Sequence, residues 1–264
     1  MPVDVMSSFN DLMFEVSNEE RVRILRVIEK NRNSFSGIAR ELDITTQEVS
    51  RHFNRLMEAG LTTRDREGFP SLTPFGSILL RQLEAVRFTS DHRDYFVSHR
   101  ADWLPDMFLS RLGELSGLKF RDDVMVTISD IIRILQEAEE YMLDINMPYV
   151  AAAFPHIRDA YNRGIPGKFL HGTDLRVPEE MQEARDDSFT DEFVREISRK
   201  GVYEERYLEV DVVLYMNEKE VAILCFPRLN NQYDFAGFTG DDPSAHEWCR
   251  DLFYHLWEKG RPII

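Results

Sequence analysis

The 264-residue chain has two cysteines, Cys225 and Cys249, with no CxxC pair and no Cys/His cluster. Neither a disulfide framework nor a zinc site is therefore indicated, and a reducing cytoplasm is the expected location. No apolar run approaches the roughly 20 residues needed to cross a bilayer. The opening MPVDVMSSFNDLMFEV carries acids where a signal peptide needs a basic region, so no membrane partner is expected. Glycine-rich phosphate cradles of the GxGxxG and GxxxxGK[ST] types are missing, which leaves nucleotide hydrolysis without a seat. The many Asp and Glu residues define no acid–base pair on their own. No catalytic residue, metal or cofactor is assigned, and the chain is not read as an enzyme.

Apolar residues make up 43% and charged residues 30%, with 18 Phe, enough to bury a core rather than form an acidic tail. The length suits two domains. The formal net charge of −15 is unevenly placed: residues 1–88 hold 12 Lys+Arg and 13 Asp+Glu, while residues 89–264 hold 20 and 34. The acidity belongs to the second part, and the first is free to show a basic face to a phosphate backbone. The expected division is 1–88 and 89–264.

Ser17-Asn-Glu-Glu20 has the form of a capping box and predicts a helix bearing Val22, Leu25 and Ile28, stopped at Asn31–Asn33. A short helix over Ser36–Leu42 follows, with Ile38, Ala39 and Leu42 inward. Thr45…Glu48 is a second capping box, opening a helix that ends at Gly60 and carries Val49, Phe53, Leu56 and Met57 as one buried stripe. The opposite face presents Gln47, Ser50, Arg51, Asn54 and Arg55, with Thr46 at its start. Arg can pair with guanine and Asn or Gln with adenine in the major groove. Leu61–Arg64 and Phe69–Leu72 read as a β-hairpin around Asp65–Gly68, from which Arg64 and Arg66 would reach flanking phosphates. Thr73-Pro74 then starts a helix with Phe75, Ile78, Leu79, Leu83 and Val86 along one side.

The phrase VSRHFNRLMEAGLTTRDREGFPSLTPFG resembles the winged helix-turn-helix regulators of the ArsR and MarR type, over roughly residues 15–88. The resemblance implies double-stranded DNA as partner, read by Thr46, Gln47, Ser50, Arg51, Asn54 and Arg55, with Arg64 and Arg66 on phosphates. A homodimer is expected because palindromic half-sites mirror two-fold symmetry, with the helix over residues 74–87 in the seam. A protein-interaction module stays open as an alternative, in which Arg51 and Arg55 pair with Glu48 and Glu58 on a solvated face and the protein is a transcription-machinery adaptor.

In the second part, Pro105 is expected to open a helix with Phe108, Leu109, Leu112 and Leu115. The β-branched run Val124–Ile128 reads as a strand, followed by a helix over Asp130–Glu140, a strand over Tyr141–Ile145, a helix over Pro148–Asn162 and a strand over Lys168–His171. A helix at Asp191–Lys200, a hairpin of Asp211–Met216 with Glu220–Phe226, and a last helix over Ser244–Lys259 complete the pattern. Trp248, Phe253 and Trp257 on that helix read as packing residues. The expected architecture is a mixed-sheet α/β domain behind a winged helix-turn-helix. His171, just past a strand, is the candidate ligand residue. Arg206 and Asp211 flank a strand start, either lining a pocket or forming an ion pair at a sheet edge.

The stretches HRADWLPDMFLSRLGEL, Arg163–Ile165 and GDDPSAHEWCRDLFYHLW are similar to a group of archaeal regulators in which a winged helix precedes a methanogenesis-regulator, or FilR-type, domain. That resemblance implies an archaeal transcription factor whose second domain senses a small-molecule effector or mediates assembly. Related archaeal sugar-responsive regulators use a sheet similar to phospholipase D. That enzyme's H-x-K signature is absent: the histidines are followed two residues on by Asn54, Asp94, Ala101, Arg158, Thr173, Trp248 and Trp257. Phosphodiester hydrolysis of that kind loses its mechanism, while a ligand-binding derivative without catalysis stays open.

Overall fold

The computed structural model describes residues 9–146, 150–172, 183 and 187–263. The chain divides into two compact units, Met1–Val86 and Arg87–Ile264, taken in turn.

The first unit comprises α1 (Phe9–Val16), α2 (Glu19–Lys30), α3 (Phe35–Leu42), α4 (Thr46–Glu58), the hairpin β1 (Thr62–Arg64) and β2 (Pro70–Leu72), and the start of α5 (Pro74–Asp91). It is a winged helix-turn-helix. The α2 cap is Asn18, whose side chain accepts the Arg21 N–H at 3.0 Å. Ser17, the expected cap, donates to the Phe14 carbonyl at 2.9 Å instead, because it closes the preceding α1. Ile24, Leu25, Ile38, Val49, Phe53, Leu56 and Leu61 are fully buried, each worth about 1.5–3 kcal/mol of transfer free energy. Met57 departs from the expected stripe and is 42% exposed. Gly60, at φ +74°, turns the chain, and Leu61 folds back with its N–H on the Leu56 carbonyl at 2.8 Å, taking the inward place. Thr73 fastens this corner: it accepts from Gly76 N at 2.9 Å and donates to the Gly60 carbonyl at 2.6 Å. A side chain at Gly76 would put Cβ 2.0 Å from the Leu61 carbonyl oxygen, so only glycine permits that approach.

The second unit holds α6 (Arg93–Ser98), α7 (Asp106–Leu109), a 3₁₀ segment (Leu112–Gly117), β3 (Lys119–Arg121), α8 (Val124–Glu137), β4 (Met142–Ile145), α9 (Phe154–Asn162), β5 (Gly167–His171), α10 (Asp191–Arg199), β6 (Tyr203–Tyr207), β7 (Val213–Asn217), β8 (Val221–Cys225), β9 (Gly237–Gly240), α11 (Pro243–Trp257) and β10 (Arg261–Pro262). The strands form one sheet in the order β10-β6-β5-β4-β7-β8-β9-β3. The β4–β5 and β5–β6 pairs are parallel and the others antiparallel, giving the expected mixed sheet. One face packs on Ile131, Ile134 and Leu135 of α8, Ala160 and Tyr161 of α9, and Phe193 and Ile197 of α10. On the other face, Lys168 and Arg206 lie over the Trp257 ring of α11.

Two expected elements are corrected here. Val124–Ile128 is the opening of α8, not a strand: Asp123 accepts from Met125 N and Val126 N, and the cap with helical burial of Thr127, Ile131, Ile134 and Leu135 overrides β propensity. The segment after Pro105 breaks into α7 and the 3₁₀ piece instead of one helix. The expected helix start at Pro148 lies outside the described residues.

Candidate nucleic-acid interface

α4 starts on a closed capping box, with Glu48 N on Thr45 Oγ1 at 3.2 Å and Thr45 N on Glu48 Oε2 at 2.9 Å. The Thr45 backbone N–H, and after it the hydroxyl, hold the Glu48 carboxyl below its usual range. Glu48 is thereby committed to the helix start and makes no ion pair with Arg51 or Arg55. Gln47, Ser50, Arg51 and Asn54 recur at i, i+3, i+4 and i+7, opposite the buried Val49, Phe53 and Leu56. Thr46, Gln47, Arg51 and Asn54 are exposed and Ser50 half-buried. Among the described residues, none of the five has a side-chain hydrogen bond or ion pair, and their polar groups face water.

Arg55 departs from this set. Its Nε donates to Glu15 Oε2 at 3.0 Å and its Nη2 to Glu15 Oε1 at 2.5 Å, with Phe14 of the same helix under the guanidinium at 5.8 Å. The Glu15 side chain is 6% exposed and also pairs with the buried Arg21. Hydrogen bonding from Arg55, reinforced by the charge of Arg21, holds the Glu15 carboxyl below its ordinary range against the opposing effect of burial. Arg55 thus ties α4 to α1 and is not a free reader, correcting the expectation. Sequence reasoning missed α1 and Glu15, although Phe9, Leu12, Met13 and Val16 have helical spacing. It also passed over His52, whose Nδ1 is buried without a partner and whose basicity is lowered by burial first and by Arg51 next.

The wing divides similarly. Arg64 folds back, donating to the Gly68 carbonyl at 3.0 Å, with its guanidinium 4.8 Å from the Phe35 ring and 5.4 Å from Phe53. Although the residue is exposed, its guanidinium lies on these rings and not free as expected, a contact worth about 0.5–1 kcal/mol at such a site. Arg66 sits at the exposed tip without a partner among the described residues. Arg32, unremarked in the sequence, bridges the tip carboxylates Asp65 and Glu67 at 2.8 Å each and covers Phe69 at 4.2 Å. The two wing acids are neutralised from within the unit.

The expected ligand residues of the second unit do not converge. His171 closes β5 with Nε2 bonded to Glu205 Oε1, and Glu205 Oε2 accepts the Tyr203 hydroxyl at 2.7 Å. That carboxylate raises the His171 basicity above its ordinary value, outweighing burial. Tyr161 and Tyr215 on the same face are buried with hydroxyls lacking a partner among the described residues. Arg206 instead donates to the Trp257 carbonyl at 2.8 Å and stacks on that ring at 4.5 Å. It forms no edge ion pair with Asp211, since β10 continues the sheet outside β6. Asp211 lies before β7, with Arg100 at 4.0 Å. Cys225 and Cys249 are free and buried, and burial pushes both thiols up. Among the described residues there is no cluster of three or more His, Cys, Asp or Glu suited to a metal, and no helix long and apolar enough to cross a membrane.

Residues 18–63 match the family described as bacterial regulatory protein, arsR family; this span runs from the α2 cap into β1. No curated protein matches the sequence. Among solved structures, the archaeal chromatin protein TrmBL2, described as showing a novel mode of DNA binding, is 14% identical with a TM-score of 0.43, over 97% of this chain and 100% of that one. Nuc, a phospholipase D family member from Salmonella typhimurium, is 12% identical with a TM-score of 0.34, over 50% of this chain and 87% of that one. An O-methyltransferase family protein from Burkholderia thailandensis is 10% identical with a TM-score of 0.26, over 78% and 65%. Likenesses this distant carry no argument for activity.

Proposed function

We propose that this protein is a sequence-reading DNA-binding regulator that lays α4 in the major groove of double-stranded DNA. The observation that carries the reading is the unpartnered polar stripe Gln47, Ser50, Arg51 and Asn54 on a helix whose other side is sealed in the core. Arg51 suits guanine and Asn54 or Gln47 adenine, while Thr46 and Arg66 meet phosphates and hold the register. Arg55 acts through Glu15, fixing the angle of α4. With a net charge of −15, attraction to DNA is local to this face and is screened steeply by salt.

Exposed Phe75, Ile78 and Val86 on α5 support a homodimer that presents two such helices to palindromic half-sites. The second unit is the archaeal-type controlling half, sensing an effector or mediating assembly in the cytoplasm, and it performs no catalysis. An effector changes DNA affinity only by binding two arrangements of the dimer unequally. A second reading, an adaptor that uses the winged helix on protein, is favoured by the internal engagement of Arg55 and Arg64.

Fluorescence anisotropy against genomic fragments selected for binding, at low and high salt, tests the choice. Affinity is expected to fall steeply with salt, and Arg51→Ala to lose about 1–3 kcal/mol of specific binding. Absence of binding at low salt gives the adaptor reading the field, while an unaffected Arg51→Ala protein that still binds DNA removes Arg51 from the reading face.

A further inference from the structure

A pocket of about 370 Å³ lies in the second unit beside the loop that follows β6. It stands at the carboxyl end of the parallel strands β4, β5 and β6, where open α/β sheets place their ligands, and its size suits a small metabolite. Its charged lining is Glu209, Asp211 and Lys259; its apolar lining includes Leu208, Val210 and Leu256.

These groups are held in place. Leu208 N donates to the His171 carbonyl at 3.1 Å. The Tyr207 hydroxyl donates to Glu209 Oε1, and Glu209 Oε2 would lie 2.6 Å from a Cβ at Gly172. Lys259, just past the end of α11, has its Nζ 2.7 Å from His255 Nε2, and the positive charge of Lys259 adds to burial in lowering the basicity of that imidazole, leaving it an acceptor for the ammonium. The wall also contains Trp103, whose indole Nε1–H is buried without a hydrogen-bond partner among the described residues, an arrangement that native proteins seldom keep.

We propose that this pocket binds a small zwitterion, an α-amino acid with an aliphatic side chain. Its ammonium meets Asp211, its carboxylate meets Lys259, and its side chain lies on Leu208, Val210 and Leu256. An anion alone would face Asp211, a simple amine would leave its charge against Lys259, and a neutral polyol would use neither sign. Only a molecule carrying both charges answers both signs in the lining. The proposal deepens the sensing half of the reading above. Calorimetry without DNA tests it separately from whether α4 binds DNA.

The experiment is isothermal titration calorimetry of the full-length protein with L-leucine, L-valine, isoamylamine, 4-methylpentanoate and mannitol, repeated on Lys259→Met and Asp211→Asn. Both substituted side chains reach solvent, and melting curves verify that each variant is folded. One of the two amino acids is expected to bind, with the amine and the acid each roughly tenfold or more weaker. Lys259→Met should abolish the preference over isoamylamine, and Asp211→Asn the preference over 4-methylpentanoate. Failure of both amino acids to bind at millimolar concentration, binding by mannitol alone, or unchanged preferences in the folded variants would overturn the assignment.

Discussion

The two units both spend arginine inside the fold, but with different partners. In the second, Arg111 holds Glu114 and Asp251 and Arg133 holds Asp130, Glu137 and Glu220, while Arg206 turns to the Trp257 carbonyl and ring. In the first, Arg21, Arg26, Arg32, Arg55 and Arg64 are committed to carboxylates, carbonyls or rings, while Arg51 and Arg66 have no such partner among the described residues. The difference teaches that net charge says little about a surface. Screening limits exposed charges to about 8–10 Å at ordinary salt, so what matters to an incoming phosphate is which cations nearby are left unspent by the fold.

Core substitutions should sharpen the division most. Phe53→Ala in the first unit and Trp248→Ala in the second remove fully buried rings and are expected to cost about 3–5 kcal/mol each. Scanning calorimetry should show each lowering the transition of its own unit; a shared drop would mean that the two melt as one. Glu15→Gln comes next. It leaves Arg21, whose side chain is 8% exposed, without its counter-charge, at a cost of about 3 kcal/mol in urea unfolding. The Glu15 acidity is increased by folding, so this stabilisation is complete above its ordinary value of 4.5 and fades as pH falls through the lowered one.

Thr45→Ala removes the hydroxyl that accepts the Glu48 N–H and leaves the backbone N–H of residue 45 on the Glu48 carboxylate; it should cost about 1 kcal/mol, with circular dichroism reporting the loss. The smallest effect is assigned to His171→Gln, about 1 kcal/mol, and its pH dependence runs the other way. Folding raises the His171 basicity, so its contribution is full below the ordinary 6.5 and is lost as pH rises through the raised value. Melting curves of the variant and the parent should therefore converge on the alkaline side, the mirror image of the Glu15 series.

Much of the first unit was legible because its signals are local. The Thr45–Glu48 box, the Val49–Phe53–Leu56 stripe and the turn at Gly60 each lie within a few residues of the element they define. The four polar positions on α4 follow from the same periodicity, since what lies opposite a buried stripe must face outward. The readings of Arg55 and Arg64 went astray because their partners are the carboxylate of Glu15, 40 residues away, and the rings of Phe35 and Phe53. No pattern along the chain announces such contacts. Val124–Ile128 misled for a related reason: intrinsic β propensity spans only about 1 kcal/mol, less than a cap and a buried helical face together supply.

By itself the amino-acid order determined the cap, the buried Val49–Phe53–Leu56 stripe and the Gly60 stop of α4, and that acid accumulates in the second half, because the helix signals depend on neighbours within one turn and the acid count on composition alone. Tertiary structure alone decided which cations are free, that Arg206 leaves Asp211 for Trp257, and that Glu209, Asp211 and Lys259 border one pocket. Those outcomes turn on distances between groups far apart in the chain, set only when helices and strands pack.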